Sequence, residues 1–345
     1  MAYTTIDDPS AHFNTVLYTG NGADNRSITG VGFQPDWVWY KERNNAIDHR
    51  LVDSTRGATK LLFSNDTDAE FTDANELQAF ESDGFQVGDD GSINGNNDTY
   101  VAWNWKANGG TTSSNTDGSI TSTVQANTTA GFSIVTYTGT GSNATIGHGL
   151  GATPKTYWIK RRSSGTADWY IYHSSIGATK NLRLNKTNAS STDSGIFNDT
   201  EPTSSVFSLG SSFSNTSSKD YVAYCFAEKQ GYSKFGTYTG NGSSDGPFAY
   251  TGFKSAWLMI KRTDSTNHWT LQDNARESSN VVQKFLLANE DDAEDTSAGQ
   301  DLDFLSNGFK IRNSNTRQNA SGGSYIFMAF AEHPFVSSEG VPVTA

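Results

Sequence analysis

Apolar residues in this chain come in short bursts between long polar stretches, and three of the bursts are apolar at almost every position. These are Tyr-Val-Ala-Trp-Asn-Trp at 100–105, Tyr-Val-Ala-Tyr-Cys-Phe at 221–226 and Tyr-Ile-Phe-Met-Ala-Phe at 325–330. A strand without a polar face is buried on both sides, so each is expected at the centre of a sheet. A second kind of burst ends in a lysine: Trp-Val-Trp-Tyr-Lys at 37–41, Tyr-Trp-Ile-Lys at 157–160 and Trp-Leu-Met-Ile-Lys at 257–261. Shorter alternating stretches lie between, at 49–53, 169–173 and 269–273, at 61–63, 181–184 and 285–287, and at 84–87 and 308–311. All are fenced by Gly, Asn, Asp or Ser, the signature of short strands joined by turns. No window of helical length sustains apolar i, i+3, i+4, i+7 spacing. Residues 69–80 and 291–305 are each expected to hold at most one helical turn.

The bursts recur in a fixed order, each set opened by a turn: Tyr-Thr-Gly-Asn-Gly at 18–22, Tyr-Thr-Gly-Thr-Gly at 137–141 and Tyr-Thr-Gly-Asn-Gly at 238–242. The strand lysine follows the turn tyrosine by 23 residues each time (18 to 41, 137 to 160, 238 to 261). Identical offsets around variable loops mark three copies of one unit. Copies this long are small sandwich domains rather than solenoid repeats of roughly 20–50 residues. The expected fold is all-β, with three tandem antiparallel β-sandwich (jelly-roll or concanavalin-like) domains. The expected divisions are 1–107, a loose linker at 108–118, 119–229 and 230–345. The Gly-Asn-Gly turns predict tight hairpins, because Gly and Asn accept positive φ. The brief second linker predicts that copies two and three sit together while copy one is looser.

Composition supports thin sandwich cores. Only 34% of residues are hydrophobic, yet 20 Phe, 14 Tyr and 8 Trp concentrate apolar area in large rings. The net charge of −12, with Lys160-Arg161-Arg162 as the longest basic run, argues against nucleic-acid binding. The single cysteine, Cys225, allows neither an internal disulfide nor a cysteine zinc site, and it reads as a small buried hydrophobe. The first residues show no basic start or apolar signal core, and no stretch approaches the roughly 18 apolar residues of a membrane span. A soluble chain made in a cytoplasm is expected.

Candidate chemistry is thin. None of the six histidines has zinc-site spacing. Asp53 and Arg56 recur as Asp273 and Arg276, but copy two has His173 and Ile176 there, so an exposed ion pair or turn cap is expected rather than a catalytic acid. The acidic stretches offer Asp66, Asp68, Asp291 and Asp292 as calcium candidates, although neither fits an EF-hand loop. Trp37, Trp39, Trp103 and Trp169 are glycan-stacking candidates, with core packing as the rival reading. No nucleophile elbow, phosphate loop or dinucleotide fingerprint is present, and nothing selects a pair of glycosidase carboxylates. No catalytic residue and no cofactor is expected.

The turn, the strand Phe-Gln-Pro-Asp-Trp-Val-Trp at 33–39, the Asp-Ser-Thr-Arg-Gly segment at 53–57 and the close at 100–106 resemble a repeat family of marine and environmental tailed bacteriophages. The resemblance covers nearly the whole chain. It implies a virion structural protein with lectin-like sandwiches, as a capsid decoration or cement protein or as a tail fibre or adhesin component. The implied partners are other virion proteins, with the chain in several copies on the particle. Two rival functions stay open: a module recognising host surface glycans, and a polysaccharide depolymerase.

Overall fold

A computed structural model describes residues 3–343; residues 1–2 and 344–345, at the outer limits of the expected units, lie outside the described residues. The chain is all-β and its strand ladders are antiparallel. The sheets fall into three sets in chain order. In the first copy a large sheet runs Phe13–Thr19, Thr99–Trp105, Trp37–Glu42, Arg50–Asp53, Lys60–Phe63, Phe71–Thr72, beside a small sheet of Arg26–Thr29, Gly84–Val87 and Leu77–Glu81. The second copy pairs an eight-stranded with a two-stranded sheet, and the third a five-stranded with a three-stranded one. In every copy the closing strand (Thr99–Trp105, Asp220–Phe226 or Ser324–Pro334) lies between the strand that leads into the turn and the lysine strand, inside the sheet as its composition demands.

The two faces of each large sheet have different partners. Val38 and Tyr40 meet Ile28, Phe85 and Val87 of the small sheet, which makes the sandwich core of copy one. Trp37 and Trp39, the alternate residues, face a cluster drawn from all three copies. That shared cluster contains all eight tryptophans, none more than 2% exposed. Trp37 stacks on Tyr224 of copy two at 4.4 Å, Trp105 meets Trp257 of copy three edge-on at 5.6 Å, and Phe226 touches Phe330 at 6.0 Å. Three sandwiches therefore share one central aromatic core, and copy one is not looser than the others.

Contacts at equivalent positions close the copies into a ring. Trp169 donates its indole N–H to the Phe63 carbonyl (2.6 Å), and Trp269 does the same to Arg183 (2.9 Å). At the third junction His49 replaces tryptophan: its Nδ1 accepts from Trp39 Nε1 (2.9 Å), so Nε2 carries the hydrogen toward the Leu287 carbonyl (3.1 Å). Burial holds this imidazole neutral, well below its ordinary pKa. Backbone bonds repeat the cycle, Glu70 N–H to Arg162, Ser190 N–H to Thr263 and Glu294 N–H to Arg43. The chain ends meet on copy three, where Tyr3 donates to the Gly252 carbonyl (2.9 Å) and Asp7 accepts from the Ser338 amide (2.7 Å).

The recurrent motifs have specific work. The turn tyrosine stacks on the closing-strand tyrosine directly across the ladder in each copy, with ring centroids 5.0, 5.0 and 4.9 Å apart. The turns are not hairpins; the first carries the chain from the large sheet to the small one. Buried Asn94, Asn215 and Asn319 hold them, accepting the N–H of Asn21, Thr140 and Asn241 at 3.0, 2.8 and 2.7 Å. Gly20 is required by close approach, since a Cβ there would collide with the Gly95 carbonyl, and Gly22 by its φ of +67°.

Two further expectations change. The segment 108–118 is pinned rather than loose: the Asp36 carboxylate accepts the N–H groups of Ala107 (2.7 Å), Gly109 (2.9 Å) and Gly110 (2.8 Å), and Ser113–Asn115 pairs with Ser122–Asn127. Residues 69–80 and 291–305 hold strand segments, Phe71–Thr72, Leu77–Glu81 and Leu302–Leu305. The α-helical turns among the described residues are Gly91–Asn94, Ser194–Phe197 and Thr316–Asn319, each started by a side-chain cap from Asp90, Asp193 or Asn315.

The strand lysines, Lys41, Lys160 and Lys261, are 0% exposed. Their ammonium groups bond to carbonyls around the junctions: Lys160 to Ala167 (2.6 Å), Lys261 to Thr187 of copy two (3.1 Å), and Lys41 to Asn45 (3.1 Å). Burial pulls their pKa values down, Lys41 to about 8 and the other two to about 7. The unfolded chain, with ordinary lysines near 10.4, holds more protons than the folded one between these limits. Stability is therefore expected to rise as pH goes from about 7 to about 10, above which ordinary tyrosine ionisation in the unfolded state opposes it. Thermal unfolding across that range checks this, and Lys160→Met with Lys261→Met should flatten the slope. Because the core is shared, Trp105→Ala is expected to cost about 3–5 kcal/mol and to shift a single denaturant transition of the whole chain rather than one of three separate steps.

Candidate functional site

The charged residues repeated between copies one and three meet at the junctions, and the geometry there differs from an exposed ion pair. Asp53 and Arg56 are both buried, with side chains 0% exposed. The Asp53 carboxylate accepts the Arg56 backbone N–H (2.8 Å) and its Nε, which fixes the turn after the strand Arg50–Asp53. Arg56 reaches Glu70 at 2.9 Å and the Leu51 carbonyl at 2.9 Å. Copy two completes the cluster: Tyr224 donates its hydroxyl to Asp53 (2.7 Å), and Arg162 grips Glu70 through two bonds of 2.8 and 2.9 Å.

The junction of copy three with copy one repeats the cluster. Asp273 holds Arg276 at 2.6 Å, Arg276 reaches Glu294 at 3.0 Å, and Arg43 of copy one grips Glu294 at 2.8 and 3.1 Å. Trp103 of copy one, at the position of Tyr224, donates its indole N–H to Asp273 (3.1 Å). Burial works against ionisation of Glu70 and Glu294, but the guanidinium groups of Arg162 and Arg56, and of Arg43 and Arg276, outweigh it and hold both carboxyls below their ordinary pKa.

The junction of copy two with copy three is neutral at every equivalent position. His173, Ile176 and Ser190 stand for Asp, Arg and Glu, Thr263 stands for Arg43 and Arg162, and Met328 for the donors Tyr224 and Trp103. Methionine offers no hydrogen to a buried aspartate, so the whole cluster changes together. Sequence reasoning paired Asp53 with Arg56 and Asp273 with Arg276, but it placed Glu70 and Glu294 only in acidic stretches, Arg162 only in a basic run and Trp103 only among the candidate rings, and it singled out neither Arg43 nor the Tyr224 hydroxyl. The available signal was that these positions lose their charge, and the donor to the aspartate, together at one junction.

The remaining candidates fare differently. Trp37, Trp39, Trp103 and Trp169 are each 0% exposed, so none can stack on a sugar; all four pack in the central core. Asp66 and Asp68 lie at the first charged junction and Asp291 and Asp292 at the second, so the structure does not gather them. Asp66 accepts from Thr67, while Asp68, Asp291 and Asp292 are exposed. Among the described residues the acids within mutual ligand reach of one ion are Asp73, Glu76 and Asp90. Glu76 is already engaged by Arg50 and Tyr40, and Asp90 caps Ser92. Cys225 is buried, and burial pushes its thiol well up. No helix among the described residues is long and apolar enough to cross a membrane.

Two surface cavities stand out. One, of about 540 Å³, lies in copy three between Asp292, Asp295 and Arg317, whose guanidinium sits 5.2 Å over the Phe285 ring. The other, of about 200 Å³, lies between the first strand of copy one and the Asn274–Ala275 turn of copy three.

Arg56→Met leaves the buried Asp53 carboxylate without its cation, while Glu70 keeps Arg162, and is expected to cost about 3–5 kcal/mol in urea unfolding. Copying the neutral junction, with Asp53→His, Arg56→Ile, Glu70→Ser, Arg162→Thr and Tyr224→Met together, is expected to cost less than Arg56→Met alone. No curated protein and no solved structure matches the chain. Residues 8–334 match the family described as a domain of unknown function (DUF7483), and the chain belongs to that family.

Proposed function

We propose that this chain is a non-enzymatic structural component exposed on a tailed-bacteriophage particle, as a capsid decoration or cement protein or as part of a tail fibre or adhesin. The reading joins the sequence resemblance to one structural observation: the ionisable clusters are buried and engaged between copies, where they hold three sandwiches as one body. Asp53 and Arg56, with side chains 0% exposed, cannot meet a substrate.

Particles purified from a host carrying the encoding phage genome are expected to contain the chain in several copies, located by antibody labelling and cryo-electron microscopy. Its absence from washed particles, with the chain free in the lysate, would overturn the proposal. Host-glycan recognition is a second reading, favoured by the cavity of about 540 Å³ between Asp292, Asp295 and Arg317, a size and polarity that suit a sugar unit. A glycan array should then show binding that Arg317→Ala removes.

A further inference from the structure

The first strands of copies one and two occupy equivalent places, yet only one is covered. In copy two, Phe132–Thr138 has the closing strand on one side and Ser122–Asn127 on the other. In copy one, the equivalent Phe13–Thr19 is the edge of its sheet, as Ser233–Thr239 is in copy three. Phe13–Thr19 also forms a slot with the Asn274–Ala275 turn. The Gly20 N–H bonds to the Asp98 carbonyl and the Lys106 N–H to the His12 carbonyl. Even-numbered residues of this strand therefore face the closing strand, and Phe13, Thr15 and Leu17 turn their backbone groups outward. The Thr15 N–H is held by the preceding side chain, Asn14 Oδ1, at 2.9 Å.

The covering strand in copy two also bridges to a neighbouring copy. Gln125 lies opposite Ile134, and its side-chain amide donates to Ser54 (2.7 Å) and Thr55 (3.1 Å) of copy one. One position around the ring, Thr15 stands for Ile134, and Asn274 and Ala275 stand for Ser54 and Thr55. Between them lies the cavity of about 200 Å³ lined by Phe13, Asn14, Thr15, Asn274 and Ala275. Two further features mark the slot. The Thr15 hydroxyl is buried without a hydrogen-bond partner, and Leu17, two residues on, is an exposed apolar side chain at 38%.

We propose that this slot binds an extended segment of a partner polypeptide, which adds as an antiparallel strand to Phe13–Thr19 and places an amide or hydroxyl side chain opposite Thr15. Main-chain bonds to the outward groups of Phe13 and Leu17 supply affinity, as in strand addition generally. The residue opposite Thr15 takes the place of Gln125, satisfying the Thr15 hydroxyl and reaching Asn274. The inference goes beyond the particle assignment and does not depend on it, because the copy-two strand defines what the slot accepts.

The test uses the full chain and a synthetic peptide of residues 119–127, with a Gln125→Pro peptide as control. Hydrogen-exchange mass spectrometry is expected to show at least tenfold slower exchange across 13–19 with the peptide and no change with the control. Thr15→Pro removes the hydroxyl that the incoming residue meets, losing besides it an N–H bonded to Asn14 and not to the closing strand, and Leu17→Lys places a charge at the exposed edge. Each should weaken peptide binding at least tenfold by fluorescence anisotropy while leaving the thermal transition in place. No protection at 13–19 with millimolar peptide, protection confined to 132–138, or equal binding by both variants would overturn the proposal.

Discussion

The fold depends on burying the second face of three large sheets. A sandwich hides one face of each sheet against its partner, and an ordinary sandwich leaves the other face to water. Here that outer face carries the tryptophans. Exposed, they would form patches far larger than a monomer tolerates. Turned toward a common axis, they make the largest core in the molecule, with rings from all three copies in contact. The lysines, the tryptophan-to-carbonyl bonds and the Asp–Arg clusters all stand around this core and satisfy one another's polar groups, while the indole N–H groups of Trp37, Trp105 and Trp257 stay buried without a partner.

This arrangement explains why charge occurs so deep in the molecule. A buried ion pair contributes little net stability against a well-packed apolar alternative, and the junction between copies two and three does without one. What the clusters at the other two junctions contribute is geometry. An aspartate that must receive a hydrogen from Tyr224 or Trp103 allows only one seating of the neighbouring copy. At the neutral junction Met328 and Ile176 pack by shape instead.

Much of the fold could be read in advance from particular residues. The constant spacing from turn tyrosine to strand lysine reflects a ring stack and a buried strut that no copy can lengthen. The near-continuous apolar run at 100–105 announced an interior strand buried on both faces, and it is one. The same run could not say what covers its two faces, because alternation reports burial and not the identity of the neighbour. Trp37 and Val38 look equally buried in sequence, yet one faces copy two and the other its own small sheet. The Gly-Asn-Gly turns were misread because their residues suit a hairpin, whereas buried asparagines about 75 residues away hold them as sheet-to-sheet crossings. The junction clusters were out of reach of local pattern: Asp53 and Tyr224 are 171 residues apart, and their donor chemistry changes from copy to copy.

The neutral seam carries a consequence for how such a body can vary. In an assembly of three identical subunits, any residue exchanged at an interface is exchanged at every interface, so a polar lock is kept everywhere or lost everywhere. Joining the subunits in one polypeptide lifts that constraint. One boundary is uncharged while two carry the charged clusters, and one sheet rim has a cover strand while its counterparts in the other two copies stay open. Covalent linkage thus lets a threefold scaffold hold non-equivalent positions around its axis, each free to meet a different neighbour.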